Sequence, residues 1–474
     1  MAWLALGMVA VPAAVAQQRG RTAKTPQVDP QIVAAVKEVS LARVKASIEK
    51  LVGFYNRSTL SAADAASIAK GRGLGAAREW IRSEFERYSK DCDGCLRIEM
   101  QKFTVSPPAR RIPRATEIVN VVATLPGTDP ANAGRIYVVS GHYDSRNSDN
   151  DNVTDPAPGA NDDASGTAVS LECARVLSQH KFPATIVFIA FAGEEQGLHG
   201  SAHYAEAAKS AKMDIEAVLN NDIVGGNHTP GDCGVPGAPD VGARGCKMQQ
   251  PQWARIFSEG IPAAATPDEI KLIRATGMEN DSPSRQLARY VREVAEQYVS
   301  GFEPKLVSRP DRYLRGGDHL SFNDQGFAAV RFTEYREDYN HQHQTPRIEK
   351  GVEYGDWPKF VDFAYVANVA RLNAATLASL ASGPAPPANV RLVTRGLQND
   401  STLTWSASPG GLATKYEVLW RPTTDTDWPP QNVEAVGNVT QATLNRSKDN
   451  VIFAVRAVDA KGHRSVAVVP LPER

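Results

Sequence analysis

Pro183 to Tyr204, PATIVFIAFAGEEQGLHGSAHY, is the stretch from which the fold is read. Thr185 to Phe191 is apolar or β-branched at almost every position, which predicts a central strand buried on both faces. The run stops in Gly193-Glu194-Glu195-Gln196-Gly197, followed by a Gly-Ser pair that reads as a helix start. Two adjacent carboxylates at the end of a buried strand are costly unless something positive faces them. In an open α/β sheet, the carboxyl ends of the strands are also where ligands bind. A lone Glu-Glu pair is more often a solvated turn, so its meaning depends on the other strand ends.

Working outward, Arg135–Ser140 reads as a second buried strand, Ser165–Gln179 as a helix and Ile215–Asn220 as a further strand. Upstream, the apolar spacing predicts helices over Pro30–Lys50 and Leu60–Tyr88, then strands over Leu96–Val105 and Glu117–Leu125. Downstream come a short helix over Ala202–Ser210, a helix over Ser284–Val299, a strand over Phe327–Phe332 and a closing helix over Phe360–Leu380. This alternation predicts an α/β fold with a mixed, mostly parallel sheet covered by helices. Residues 225–255 form a Gly/Pro-rich excursion of the kind that serves as a lid or pocket wall.

At 474 residues the chain is too long for one ordinary core. Lys plus Arg and Asp plus Glu both number 53, so no basic excess points to nucleic acid, and any charged site is local. Met1–Ala16 is a short apolar run ending in Ala14-Val15-Ala16, which reads as a signal peptide, although its basic start is missing. It is shorter than the ~20 residues a membrane span needs, and no other stretch is long and apolar enough. Residues 17–30 read as disordered. The expected location is therefore secreted or periplasmic, and of the five cysteines two disulfides are expected, Cys92–Cys95 and Cys233–Cys246, with Cys173 free.

Residues 382–388, rich in Pro, read as a linker. Beyond it, short strands recur: Val390–Val393, Ser401–Trp405, Lys415–Trp420 and Val451–Val458. Leu403-Thr404-Trp405, Tyr416-Glu417-Val418, the run Ala454 to Asp459 and then Gly462-His463 resemble a fibronectin type III module over 389–474. The resemblance implies a small all-β sandwich serving as a spacer or a surface for an extracellular partner.

Chemistry-bearing residues gather at the strand ends. Gly141-His142-Tyr143-Asp144 follows one buried strand, Asn161-Asp162-Asp163-Ala164-Ser165-Gly166 enters a helix, and Glu194-Glu195 ends the opening strand. Asp222 ends another, and His341-Gln342-His343 lies later. Carboxylates mixed with imidazole suit zinc, and a shared carboxylate suits two zincs about 3.5–4 Å apart.

With these motifs, residues 31–381 resemble metallopeptidase family 28, the secreted di-zinc aminopeptidases. The resemblance implies a three-layer α/β/α sandwich and two Zn2+ per chain. It implies His142 and Asp222 as ligands of the first zinc, Asp162 as the bridge and Glu195 as a ligand of the second. It further implies Glu194 as general base and Asp144 as the carboxylate that orients His142. The last imidazole is open between His341 and His343; His343, nearer Thr345-Pro346, is chosen. Gly317-Asp318-His319 resembles the family's Ser-Asp-His motif, which implies support of the site by Asp318 and His319. Tyr339 is the candidate to polarise the substrate carbonyl.

Peptides with a free N-terminus are the expected substrates, and a monomer is the expected state. Two alternatives stand beside the aminopeptidase. One is a different reaction on the same fold, a glutaminyl-cyclase-like acyltransferase or a carboxypeptidase-like relative. The other is a non-catalytic binding or adhesion protein, against which the presence of Glu194 argues.

Overall fold

The computed structural model describes residues 28–226 and 252–473. The chain opens with helices α1 (Pro30–Glu38), α2 (Leu41–Val52), α3 (Ala65–Ala69) and α4 (Gly73–Asp91). Strands β1 (Arg97–Val105), β2 (Thr116–Leu125) and β3 (Arg135–His142) follow, then α5 (Ala164–Leu177), β4 (Thr185–Phe191), α6 (His199–Ser210) and β5 (Asp214–Asn221). After the undescribed residues come β6 (Gln252–Ser258), α7 (Pro267–Thr276), α8 (Pro283–Tyr298), β7 (Phe302–Val307), α9 (Asp318–Asp324) and β8 (Ala329–Glu334). A small hairpin, β9 (Arg347–Glu349) and β10 (Val352–Tyr354), precedes α10 (Phe363–Ser382).

Among the described residues, eight strands form one mixed sheet in the order β1-β2-β4-β3-β5-β8-β6-β7, with β4, β3, β5 and β8 mutually parallel at its centre. Every residue of β4 is buried. Ile186, Phe188 and Ala190 join the core under α5 and α10, while Val187, Ile189 and Phe191 pack with Tyr204 of α6 and Phe322 of α9. The sheet is thus covered on both faces, which is why the opening run has no polar alternation. β3 lies between β4 and β5; the crossover from β3 to β4 runs through α5 on one face and that from β4 to β5 through α6 on the other, and His142 ends β3 at this switch point.

Several expectations need correction. Residues 60–88 are not one helix: Gly73 has φ +80, and a Cβ there would sit 2.4 Å from the Ala62 carbonyl oxygen. The excursion expected over 225–255 ends earlier, because Gln252 already begins a sheet strand. β7, over a stretch for which no element was expected, carries Pro304, which is tolerated because β7 is the sheet's edge. Of the stretch read as disordered, residues 28–30 are described, and Asp29 caps α1 by accepting the Gln31 N–H at 2.7 Å. The Cys92–Cys95 disulfide is present and Cys173 is free and buried. Cys233, Cys246 and the expected signal peptide lie outside the described residues.

The segment read as a linker is packed rather than free, with Ala385 at 1 % exposure and the Gly383 carbonyl accepting from Arg135 at 3.0 Å. Beyond it lie β11 (Ala388–Val393), β12 (Ser401–Ser406), β13 (Lys415–Pro422), β14 (Val433–Gly437), β15 (Gln441–Leu444), β16 (Val451–Val458) and β17 (Leu471–Glu473). They form a four-stranded sheet, β15-β12-β11-β17, facing a three-stranded one, β14-β13-β16, around Leu403, Trp405, Tyr416 and Val455. Ion pairs join this unit to α8 and the turn before it: buried Asp281 holds Arg421 at 2.8 Å and also Arg289 of α8 at 3.2 Å, and half-buried Glu293 of α8 holds Arg456 at 2.9 Å and Arg464 at 2.7 Å.

Candidate active site

The strand ends bring the implied residues together. His142 Nε2 lies 3.2 Å from Asp162 Oδ1 and 3.9 Å from Asp222 Oδ2. On the other side, His343 Nε2 lies 2.7 Å from Asp162 Oδ2 and 3.0 Å from Glu195 Oε1. Each oxygen of Asp162 therefore serves a different histidine. Glu194 Oε2 stands 3.9 Å from His142 Nε2, so its carboxylate lies on the first of these two groups.

Neighbouring groups fix this arrangement. His142 Nδ1 faces the Asp144 carbonyl at 3.1 Å and its carboxylate at 3.5 Å, which directs Nε2 toward Asp162. Asp144 in turn accepts from Thr59 Oγ1 at 2.9 Å and the Glu195 N–H at 3.2 Å. Gly166 is required where α5 meets β5, because a Cβ there would lie 2.0 Å from the Asn221 carbonyl oxygen.

Asp318 is fully buried, and burial pushes its carboxyl up to about 7 against the pull of His142. His319 sits one layer further out. Its Nε2 bonds the Pro310 carbonyl at 2.8 Å, it lies 3.7 Å from Asp311, and burial lowers it to about 4.

The loop after Asp338 brings one of its three candidates into the cluster and leaves two outside. His341 is not in the cluster: it stacks on Phe360 at 3.6 Å and pairs with Asp338 at 3.3 Å, while His343 reaches the carboxylates. Tyr339 does not join the buried cluster either. The turn closed by Asp338 leaves Tyr339 63 % exposed, so no carbonyl-polarising contact is assigned to it.

Sequence reasoning passed over several residues that hold the site. Asp163 caps α5 by accepting the Gly166 N–H at 2.9 Å, and its second oxygen accepts the His142 N–H at 2.9 Å. Its place three residues before Gly166 at a helix entry was the available signal. Asp356 accepts the backbone N–H groups of Asn161 and Asp162, at 2.9 and 2.7 Å, and Gln342 donates to Asp162 Oδ2 at 2.9 Å. Arg57, fully buried, donates to the carbonyls of Tyr143, Pro158 and Gly159 and so pins both ligand loops.

The electrostatics suit a cation. Burial, with Asp222 and Glu195 nearby, raises the Glu194 carboxyl well above the usual range, although His142 opposes the shift. Burial also raises Asp222, against the attraction of Arg331. Burial alone would lower His343, but Glu195 and Asp162 raise it to about 10. Among the described residues, His142 Nε2, Glu195 Oε1 and His343 Nε2 are buried without a hydrogen-bond partner. These atoms converge in two groups, and imidazole nitrogen with carboxylate oxygen is a zinc donor set, so the residues fit the metal. Arg146 donates to Glu195 Oε2 at 2.9 Å and lies 2.6 Å from His343 Nδ1.

Comparison with known proteins agrees with this geometry. The profile of Peptidase family M28 matches residues 120–253. A protein of Leptosphaeria maculans named "Probable zinc metalloprotease" is 42 % identical over 447 residues, covering 94 % of this chain and 98 % of the relative. A protein of the same name from Pyricularia oryzae is 45 % identical over 451 residues, covering 94 % and 85 %. Among solved structures, LapB from Legionella pneumophila superposes with a TM-score of 0.50 at 18 % identity, over 74 % of this chain and 75 % of that one, which is a likeness of fold. On its extended identity with these relatives, the chain belongs to peptidase family M28.

Proposed function

We propose that this chain is an exported zinc-dependent aminopeptidase. The observation that carries the reading is Asp162, which places one oxygen beside His142 and the other beside His343. His142, Asp162 and Asp222 would hold one zinc, and Asp162, Glu195 and His343 a second. Zinc there supplies Lewis acidity and a bound water whose pKa is drawn toward neutrality. The relatives' shared name, zinc metalloprotease, supports the choice of metal.

Glu194 is the proton carrier. Its carboxylate is next to the ligand groups, where it can take a proton from a water held between them and release it again. It accepts the proton of the attacking water and delivers it to the leaving amine. Arg331 and Arg146 hold the outer oxygens of Asp222 and Glu195, leaving the inner ones directed at the centre. The substrate's free α-amine meets a carboxylate of this cluster, which restricts cleavage to the N-terminus.

Export is supported by the Ala14-Val15-Ala16 pattern and by the Cys92–Cys95 disulfide, a bond of oxidising compartments. No helix among the described residues is long and apolar enough to cross a membrane. The two facing sheets at the C-terminus support the fibronectin type III-like reading of that unit. The test of the activity is hydrolysis of aminoacyl-4-nitroanilides and their N-acetylated forms, with zinc and with a chelator. Zinc-dependent cleavage of the free-amine substrates alone is expected; equal cleavage of the blocked ones overturns amine recognition.

A further inference from the structure

The segment 338–356 grips Asp162 from both ends. At its start, His343 and Gln342 reach Asp162 Oδ2 at 2.7 and 2.9 Å. At its end, Asp356 accepts the N–H groups of Ala160, Asn161 and Asp162 at 3.0, 2.9 and 2.7 Å. The two ends also meet each other, Gly355 N–H donating to the Asn340 carbonyl at 3.3 Å, and Thr345 bonds Ser148 of the ligand loop at 2.6 Å. The hairpin β9–β10 therefore rises directly from the rim of the site.

The hairpin is stiff but incomplete. Arg347 stacks on Tyr354 at 4.0 Å and donates to Gln344 and Glu349, and Lys359 pairs with Glu353. Yet among the described residues its two strands pair only with each other, which leaves both outer backbone edges open there. A two-stranded hairpin gains stability from a third strand, and an open edge is a template for an extended peptide. Ile348 is 77 % exposed and Val352 41 % exposed. The register pairs Ile348 with Glu353 and Val352 with Glu349, so each face of the hairpin carries one uncovered aliphatic side chain. A strand added along the outer edge of β9 lies beside Ile348 and places every second side chain on the face that Ile348 occupies.

We propose that the β9–β10 hairpin binds the peptide beyond the scissile bond as a third strand, which makes oligopeptides with alternating aliphatic residues the preferred substrates. This rests on the aminopeptidase reading of the site. It adds a backbone-recognition surface that favours long substrates over dipeptides.

The test compares Leu-Ala amide with the hexapeptide Leu-Ala-Val-Ala-Val-Ala amide, and with a copy N-methylated on alternate downstream amides. The zinc-loaded wild type and the double variant Ile348→Asp, Val352→Asp are assayed together. The expected KM of the wild type for the hexapeptide is about tenfold below that for Leu-Ala amide, the scale of a few backbone hydrogen bonds. That advantage disappears in the variant and with the N-methylated peptide, while Leu-Ala amide is turned over at the wild-type rate, showing an intact site. Equal KM values in the wild type, or an advantage that survives both changes, overturns the hairpin proposal alone. Hydrolysis of neither peptide overturns the aminopeptidase reading, and the hairpin proposal with it.

Discussion

Arg331 Nη2 lies 2.8 Å from Asp222 Oδ1, with Arg331 fully buried and Asp222 nearly so. The pair leaves Asp222 Oδ2 facing His142 and ties the carboxylate to a deeper layer, because Arg331 also reaches Asp311 at 2.9 Å and the Gly316 carbonyl at 2.6 Å. Arg331→Met strands two buried carboxylates. Stability is expected to fall by about 3–5 kcal/mol in denaturant titration. Zinc affinity, read by calorimetry, is expected to weaken about 10–100-fold. Unchanged zinc affinity would show that Arg331 does not position Asp222.

A pH dependence away from the site follows from Glu259, which is 6 % exposed. Burial pushes its carboxyl up to about 7, against the opposing Ala263 N–H at 2.8 Å. With the folded pKa above the ordinary ~4.3, its contribution is full below that value and is lost as pH rises through 7. Relative to Glu259→Gln, the wild type should lose stability between about pH 4 and about pH 8, and the difference should level off above. Thermal melting of both proteins across that range checks it; a difference that does not change with pH contradicts it.

Asp281 ties the C-terminal unit to the catalytic one by bonding both Arg421 and Arg289 out of solvent. Asp281→Ala leaves two buried guanidinium groups without their partner and should cost about 3–5 kcal/mol. Because the contact is buried and ionic rather than a tether, we expect the two units of the wild type to unfold together. Fluorescence and residual activity should therefore follow one denaturant curve, and separate transitions would contradict the coupling.

Much of this architecture was legible because it is written locally. β4 announces itself by a run with no polar alternation, and the ligands stand where such runs stop. What was hidden depends on distant partners. Arg331 looks like a polar break in a strand until Asp222 and Asp311 are seen beside it. Asp356 acts on residues far earlier in the chain, and nothing near it signals that role. Tyr339 and His341 carried suitable chemistry in the right loop, but the turn direction, which sequence does not give, put only His343 inside. β9 and β10 are three residues each, too short for a period to show. The opposite error came over residues 60–88, where the apolar spacing ran on across the turn at Gly73.

Glu194 tests the central claim most directly, because it lies within reach of His142 and Asp222 and is positioned either to bind metal or to move protons. The measurement is zinc content per chain and turnover of leucyl-4-nitroanilide for the wild type and Glu194→Gln. A proton carrier predicts two zincs in both proteins and turnover about 10²–10⁴-fold lower in the variant. Loss of a zinc from the variant, or turnover close to that of the wild type, would contradict the account.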